Sequence, residues 1–161
     1  MAAIVYIESS IISYLTARPS RDIVTAARQA ITMEWWSNRL FQYEVYISAL
    51  VETEISSGDA AAAAQRMGVV ANIPSLAITN DAQILASSLI ATKAVPANSV
   101  EDALHIAIAA TQGAQYLLTW NFKHINNAET KARINQVIEA AGFDCPILCS
   151  PEELGGYEDD E

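Results

Sequence analysis

A chain of 161 residues, 52% hydrophobic and 17% charged, holds enough apolar material for one ordinary core and has the length of a single domain. Its formal net charge of −10 argues against gripping nucleic acid by broad phosphate neutralisation, though not against holding it through metal ions. No apolar run approaches the roughly 20 residues of a membrane span, and the start MAAIVYIESS lacks the basic stretch and cleavage site of a signal peptide, so a cytoplasmic protein with no membrane contact is expected.

Residues 2 to 7, AAIVYI, suit a short buried strand, and Glu8 and Ser9 follow as the chain turns toward a helix from Ile11. A second helix is expected from about Arg21 to Asn38, with Ser20 as its N-cap and Ile23, Ala27, Ile31 and Trp35 on its apolar face. Tyr43 to Ile47 alternates as a strand does, and Ser48 can cap the helix carrying Glu52 and Glu54. SSGD breaks the chain before the Ala-rich helix at 60–64. Pro74 to Ile78 reads as a short strand or extended link, and a helix from Asn80 or Asp81 fades near Thr92.

KAVPANS at 93–99 is a loop, and its last residue, Ser99, is the expected cap of a helix whose first turn contains Asp102. Gly113 stops that helix, a buried strand Tyr116 to Thr119 follows, and polar groups from Asn121 to Asn127 stand at its end. A polar helix then extends to about Ala141, where Gly142 ends it. Pro146 to Cys149 is a last short strand, and SPEE at 150–153 has the pattern of a capping box. Alternating strands and helices imply an α/β fold with a mainly parallel sheet covered on both faces. One domain over 1–154 is expected, with an acidic tail at 155–161. Cys145 and Cys149, four apart in a strand, would lie about 13 Å from each other, too far for a disulfide.

Glu8 after the first strand, Glu54 on the helix after the second, and Asp102 at the start of a later helix occupy comparable places. In a parallel sheet the ends of these strands share one edge, where the three acids can meet. Carboxylates gathered so closely need a cation, and hard oxygen ligands suit Mg²⁺ or Mn²⁺. From spacing alone, helix caps and dipole partners are the more usual explanation of acids in such places.

The segments VYIESSIISYL, YISALVETEISSGD, EDALHIAIAA and YLLTWNFKHINNA, in that order, resemble the successive motifs of PIN-domain proteins of the VapC type, the ribonucleases of toxin–antitoxin pairs. The resemblance implies a PIN-like three-layer α/β/α sandwich, metal-dependent RNA cleavage leaving a 5′-phosphate and a 3′-hydroxyl, and a small antitoxin as partner. It sets the four acidic motif positions on Glu8, Glu54, Asp102 and Asn121. Glu8 stands where Asp is usual and Asn121 where Asp is frequent. Glu8 thus carries its charge one methylene further out, and Asn121 keeps an oxygen but loses the charge. Glu8, Glu54 and Asp102 are the implied metal ligands, Ser10 resembles the hydroxyl residue that orients the first acid, and Thr119 the one preceding the fourth position.

Glu52 and Glu101 compete with Glu54 and Asp102 and are the less expected ligands. His105, Lys123 and His124 are candidate RNA contacts, with a structural role open for His105 and a solvated one for the loop pair. Arg18 and Arg21 can be simple surface charges. Aromatics around Trp36 fit a homodimer. The rival expectation is a PIN-like domain that has lost catalysis and serves as a binding module.

Overall fold

The computed structural model describes residues 2–155, so Met1 and the acidic tail beyond Gly155 lie outside the described residues. Strand β1 (Ile4–Ile7) runs into α1 (Ser9–Thr16), and α2 (Ile23–Asn38) leads through a 3₁₀ turn to β2 (Glu44–Ser48) and α3 (Ala49–Ile55). Helix α4 (Ala60–Val69), β3 (Ser75–Leu76), α5 (Asn80–Ala91) and α6 (Val100–Thr111) follow. The chain finishes with β4 (Tyr116–Leu118), α7 (Lys131–Ala140) and β5 (Ile147–Cys149).

The five strands form one sheet in the order β3-β2-β1-β4-β5, with every pairing parallel. Val5 sits opposite Val45 on one side and Tyr116 on the other, which puts β1 at the centre. Tyr6, Ile7, Leu117 and Leu118 are fully buried because a parallel sheet is covered on both faces. The result is a three-layer α/β/α sandwich in which Glu8 and Thr119 follow β1 and β4 and Ser48 ends β2, all at the same edge.

Several local signals resolve differently from the sequence expectation. Asp22 caps α2, its carboxylate accepting the Thr25 N–H, while Ser20 accepts the Asp22 N–H one step upstream. Thr79 caps α5, and Ser48 caps α3 as expected, accepting the Val51 N–H at 3.2 Å. Ser99 occupies the cap position of α6 but makes no cap bond, because its hydroxyl lies 3.1 Å from His124 Nδ1 instead. Gly113 and Gly142 adopt φ of +79° and +91°, the left-handed turn that ends α6 and α7 without the penalty of a Cβ. Cys145 and Cys149 are free, and burial pushes their thiols up to about 11 and about 12.

At the end of β5 the SPEE segment forms a turn in which Glu153 Oε1 accepts from the Ser150 N–H, the Ser150 hydroxyl and Asn126 Nδ2. Burial opposes charge on Glu153, but these donors and Lys131 outweigh it and hold its carboxyl below the usual range. A depressed carboxyl contributes stability above its unfolded pKa and loses it as pH falls through the folded value. Glu153→Gln is therefore expected to melt lower than wild type at pH 7, with the gap closing below the ordinary Glu pKa of about 4.3. Paired thermal melts from pH 7 to pH 3 check this.

Candidate active site

Glu8 ends β1 and caps α1, with 6% of its surface exposed. One carboxylate oxygen accepts from the Ser10 hydroxyl and from Thr119 Oγ1 at 2.6 Å, and the other accepts the Ser10 N–H at 3.1 Å. The two hydroxyls are themselves fixed, since Ser10 Oγ accepts the Trp120 N–H and Thr119 Oγ1 accepts the Asn121 N–H. The longer side chain at this position is thus folded back and clamped by residues from the first and fourth strand ends.

Glu54 projects from α3 toward α1 and α6. Its Oε1 accepts from Ser9 Oγ at 2.6 Å and from His105 Nε2 at 2.5 Å. On the far side of the imidazole, His105 Nδ1 lies 2.7 Å from the Tyr6 hydroxyl, which lies 2.8 Å from Ser48 Oγ. With neutral His105 the protons run one way: Val51 N–H to Ser48, Ser48 to Tyr6, Tyr6 to His105, and His105 to Glu54.

Burial disfavours a charge on His105, yet the Glu54 bond and the fields of Glu8, Glu54 and Asp102 raise its pKa. Burial likewise opposes ionised Glu54, and His105 and Ser9 overcome it and lower that carboxyl. The expected RNA contact by His105 is not available, because the residue is 1% exposed and both ring nitrogens are occupied. Glu52 makes none of the contacts that Glu54 makes.

Asp102, in the first turn of α6, accepts from Asn121 Nδ2 at 3.0 Å on Oδ1, and its Oδ2 lies 2.9 Å from His124 Nδ1. Asn121 Oδ1 is turned away and accepts the backbone N–H groups of Lys123 and His124. Asn121 therefore acts here as a donor that orients Asp102, with its oxygen committed to the loop rather than offered as a ligand. Substituting Asn121→Asp exchanges that donor for a second carboxylate oxygen against Asp102. We expect a loss of about 2 kcal/mol at pH 7 in metal-free protein, shrinking as the pH approaches 4, measurable by denaturant titration at the two pH values.

His124 is tied to Asp102 and Ser99 rather than free in a solvated loop. Lys123 is exposed, as are Arg18, Arg21 and Glu101. Tyr6, Ser9 and Ser48 take part in this network although no local pattern marks them as partners of the acids. Ser9 stands beside Glu8 in the ESS triplet, but its partner Glu54 is 45 residues away.

Glu8, Glu54 and Asp102 come from three elements: Thr119 and Asn121 link Glu8 to Asp102, and Ser9, next to Glu8, holds Glu54. The hard oxygens of the three acids suit Mg²⁺ or Mn²⁺ in kind. Among the described residues, however, no three His, Cys, Asp or Glu side chains stand together as a ready coordination group. Mg²⁺ keeps several waters and usually takes one or two carboxylates together with substrate phosphates, so its binding does not require such a cage. The residues therefore fit this kind of ion in donor chemistry.

No family model and no curated protein sequence matches the chain. Solved structures do. A chain of VapBC2 from Rickettsia felis, bound to a DNA fragment from its promoter, superposes with a TM-score of 0.54 at 16% identity, covering 91% of this chain and 98% of that one. The Mycobacterium tuberculosis toxin VapC20, which cleaves the sarcin–ricin loop, gives 0.57 at 18% identity over 86% and 95%. The chain has the PIN fold of the VapC toxins.

Within the PIN fold, the strand edge that bears Glu8, Ser48 and Thr119 is the edge where parallel α/β sheets bind ligands. The correspondence is one of backbone path. Among the described residues no helix is long and apolar enough to cross a membrane.

Proposed function

We propose that this protein is a metal-dependent endoribonuclease that hydrolyses RNA phosphodiester bonds and acts as the toxin of a toxin–antitoxin pair in the cytoplasm. The observation that carries the reading is that Glu8 and Asp102 are joined through Thr119 and Asn121, and Glu54 is tied to Ser9 beside Glu8, at the ligand-binding edge of a PIN fold. VapC20, described as a sarcin–ricin loop cleaving toxin, supports RNA as the substrate class. The VapBC2 complex supports a small antitoxin as partner. A homodimer belongs to the same reading. Trp36 itself packs partly against the core, and Phe41, five residues on, is 77% exposed.

In this reading Glu8, Glu54 and Asp102 hold Mg²⁺ or Mn²⁺, which when bound supplies Lewis acidity toward the scissile phosphate and a water of lowered pKa. The chain's own part is to fix these acids: Ser10 and Thr119 hold Glu8, Ser9 and His105 hold Glu54, and Asn121 and His124 hold Asp102. Lys123, exposed just past Asn121, is the residue this reading assigns to a phosphate contact.

The binding-module reading draws on one specific observation: every one of the three acids is already satisfied by protein donors, with no three-ligand group among the described residues. Cleavage of a mixed RNA pool by purified, antitoxin-free protein in Mg²⁺ or Mn²⁺, against a chelator control, separates the two. Cleavage in neither metal sinks the nuclease reading. A calorimetric metal titration that is blind to Glu54→Gln and Asp102→Asn would favour the module.

A further inference from the structure

Positive charge is scarce in this chain, which has 9 Lys and Arg against 19 Asp and Glu. Arg28 sits near the carboxylate edge with no carboxylate partner among the described residues. The Arg28 guanidinium, on α2, lies 5.0 Å from the centroid of the Phe122 ring and 5.5 Å from that of Trp120. Its contacts among the described residues are these two rings, and its field reaches Asp22, whose carboxyl is engaged by Thr25.

The two rings differ in role. Trp120 is 5% exposed and anchored, its indole N–H donating to Thr32 Oγ1 at 2.8 Å and its ring meeting Tyr14 at a tilt. Thr32 in turn donates to the Arg28 carbonyl at 2.6 Å, so α2 and the end of β4 are locked together. Phe122 packs edge-on against Trp120 at 5.9 Å and keeps 37% of its surface exposed. A large aromatic is thereby held on a rigid support with part of its surface open to solvent.

Its location supplies the function. Phe122 directly follows Asn121, whose amide holds Asp102, so the two Cα atoms are about 3.8 Å apart. On the other side, the Trp120 N–H holds Ser10, which holds Glu8. The aromatic segment is therefore spliced between two of the three acids, and exposed Lys123 continues it. Single-stranded RNA is bound by stacking unpaired bases on aromatic rings and guanidinium planes, with cations meeting the backbone.

We propose that Phe122 and Arg28 form a stacking subsite for one RNA base adjacent to the cleaved phosphate. The subsite rests on the ribonuclease reading for its location but makes a separate claim about binding. Stacking is indifferent to base identity, so the subsite contributes affinity and registration rather than sequence choice.

The test measures kinetics and binding on one RNA oligonucleotide that the wild type cleaves, or on a mixed-sequence oligonucleotide if it cleaves none. Binding is read by fluorescence anisotropy in a chelator. Phe122→Ala is expected to raise KM and the RNA Kd about tenfold with kcat within twofold, Phe122→Tyr to restore both, and Arg28→Gln to give a smaller rise. Stepping one abasic position along the oligonucleotide should erase the difference between Phe122→Ala and wild type at a single position beside the cut. Thermal melts control for folding.

Wild-type cleavage with KM and Kd unmoved by Phe122→Ala overturns the subsite alone, as does a loss spread evenly over all abasic positions. An effect of Phe122→Ala on antitoxin binding but not on RNA also overturns it, and assigns the ring to a protein contact. RNA binding that weakens in Phe122→Ala without any cleavage by wild type sinks the nuclease reading and leaves the subsite standing. Neither binding nor cleavage by wild type removes both.

Discussion

Asp102→Asn is expected to lower RNA cleavage by on the order of 10³-fold while leaving the fold in place. The substitution is isosteric, and its geometry is already provided for. The new amide oxygen still accepts from Asn121 Nδ2, and the new amide nitrogen faces His124 Nδ1, which accepts once the imidazole proton moves to Nε2. What disappears is the negative charge held by Asn121 and His124 at the start of α6.

If a divalent cation does the electrostatic work, weakening its hold forfeits several kcal/mol of transition-state stabilisation. At about 1.36 kcal/mol per tenfold, that gives the stated loss. Initial rates on a defined RNA oligonucleotide at saturating Mn²⁺, beside denaturant titrations showing stability within about 0.5 kcal/mol, are the measurement. Wild-type rates in this variant would remove Asp102 from the chemistry.

Much of this arrangement can be read along the chain because it is local. The apolar run of β1 followed by Glu8, the Ser48 cap ahead of Glu54, and Gly113 before β4 each use neighbouring residues, and each falls within a residue or two of where the pattern puts it. Local reading fails where a side chain has two suitors. Ser20 and Asp22 both suit an N-cap, and the carboxylate two residues on takes the Thr25 N–H. Ser99 has the right place to cap α6, but His124, 25 residues away, claims its hydroxyl.

The site suffers most from this limit. Glu54 is visible as an acid on the right helix, while the groups that orient it come from β1, α1 and α6. No period in the sequence links Tyr6 to His105 across 99 residues. Asn121 illustrates a subtler case, since the residue type offers both a donor and an acceptor. Only the fold shows that its oxygen goes to the loop backbone and its nitrogen to Asp102.

His105 is expected to matter through the direction of its Nε2 proton, and three substitutions separate that from mere space filling. His105→Ala removes a fully buried ring, leaves Glu54 without its α6 donor, and should cost about 3 kcal/mol of stability. His105→Gln carries an amide nitrogen near the place of Nε2 and can still donate to Glu54. His105→Asn is shorter, with its amide near the place of Nδ1, and meets Tyr6 instead. Partners that orient a metal ligand typically contribute 10- to 100-fold to metal affinity.

Calorimetric Mn²⁺ titrations should therefore show about that loss in His105→Ala and His105→Asn, and a substantial recovery in His105→Gln. On RNA, kcat should fall in the same order while KM changes little, because the residue is buried and does not meet the substrate. Tyr6→Phe provides the complement. It removes the hydroxyl that faces Nδ1, frees the ring to rotate, and should give an intermediate loss with the Glu54 contact still possible. Equal losses in the Gln and Asn variants would mean that the imidazole only fills the core, and the chain from Ser48 to Glu54 would then be a structural brace with no hold on the site.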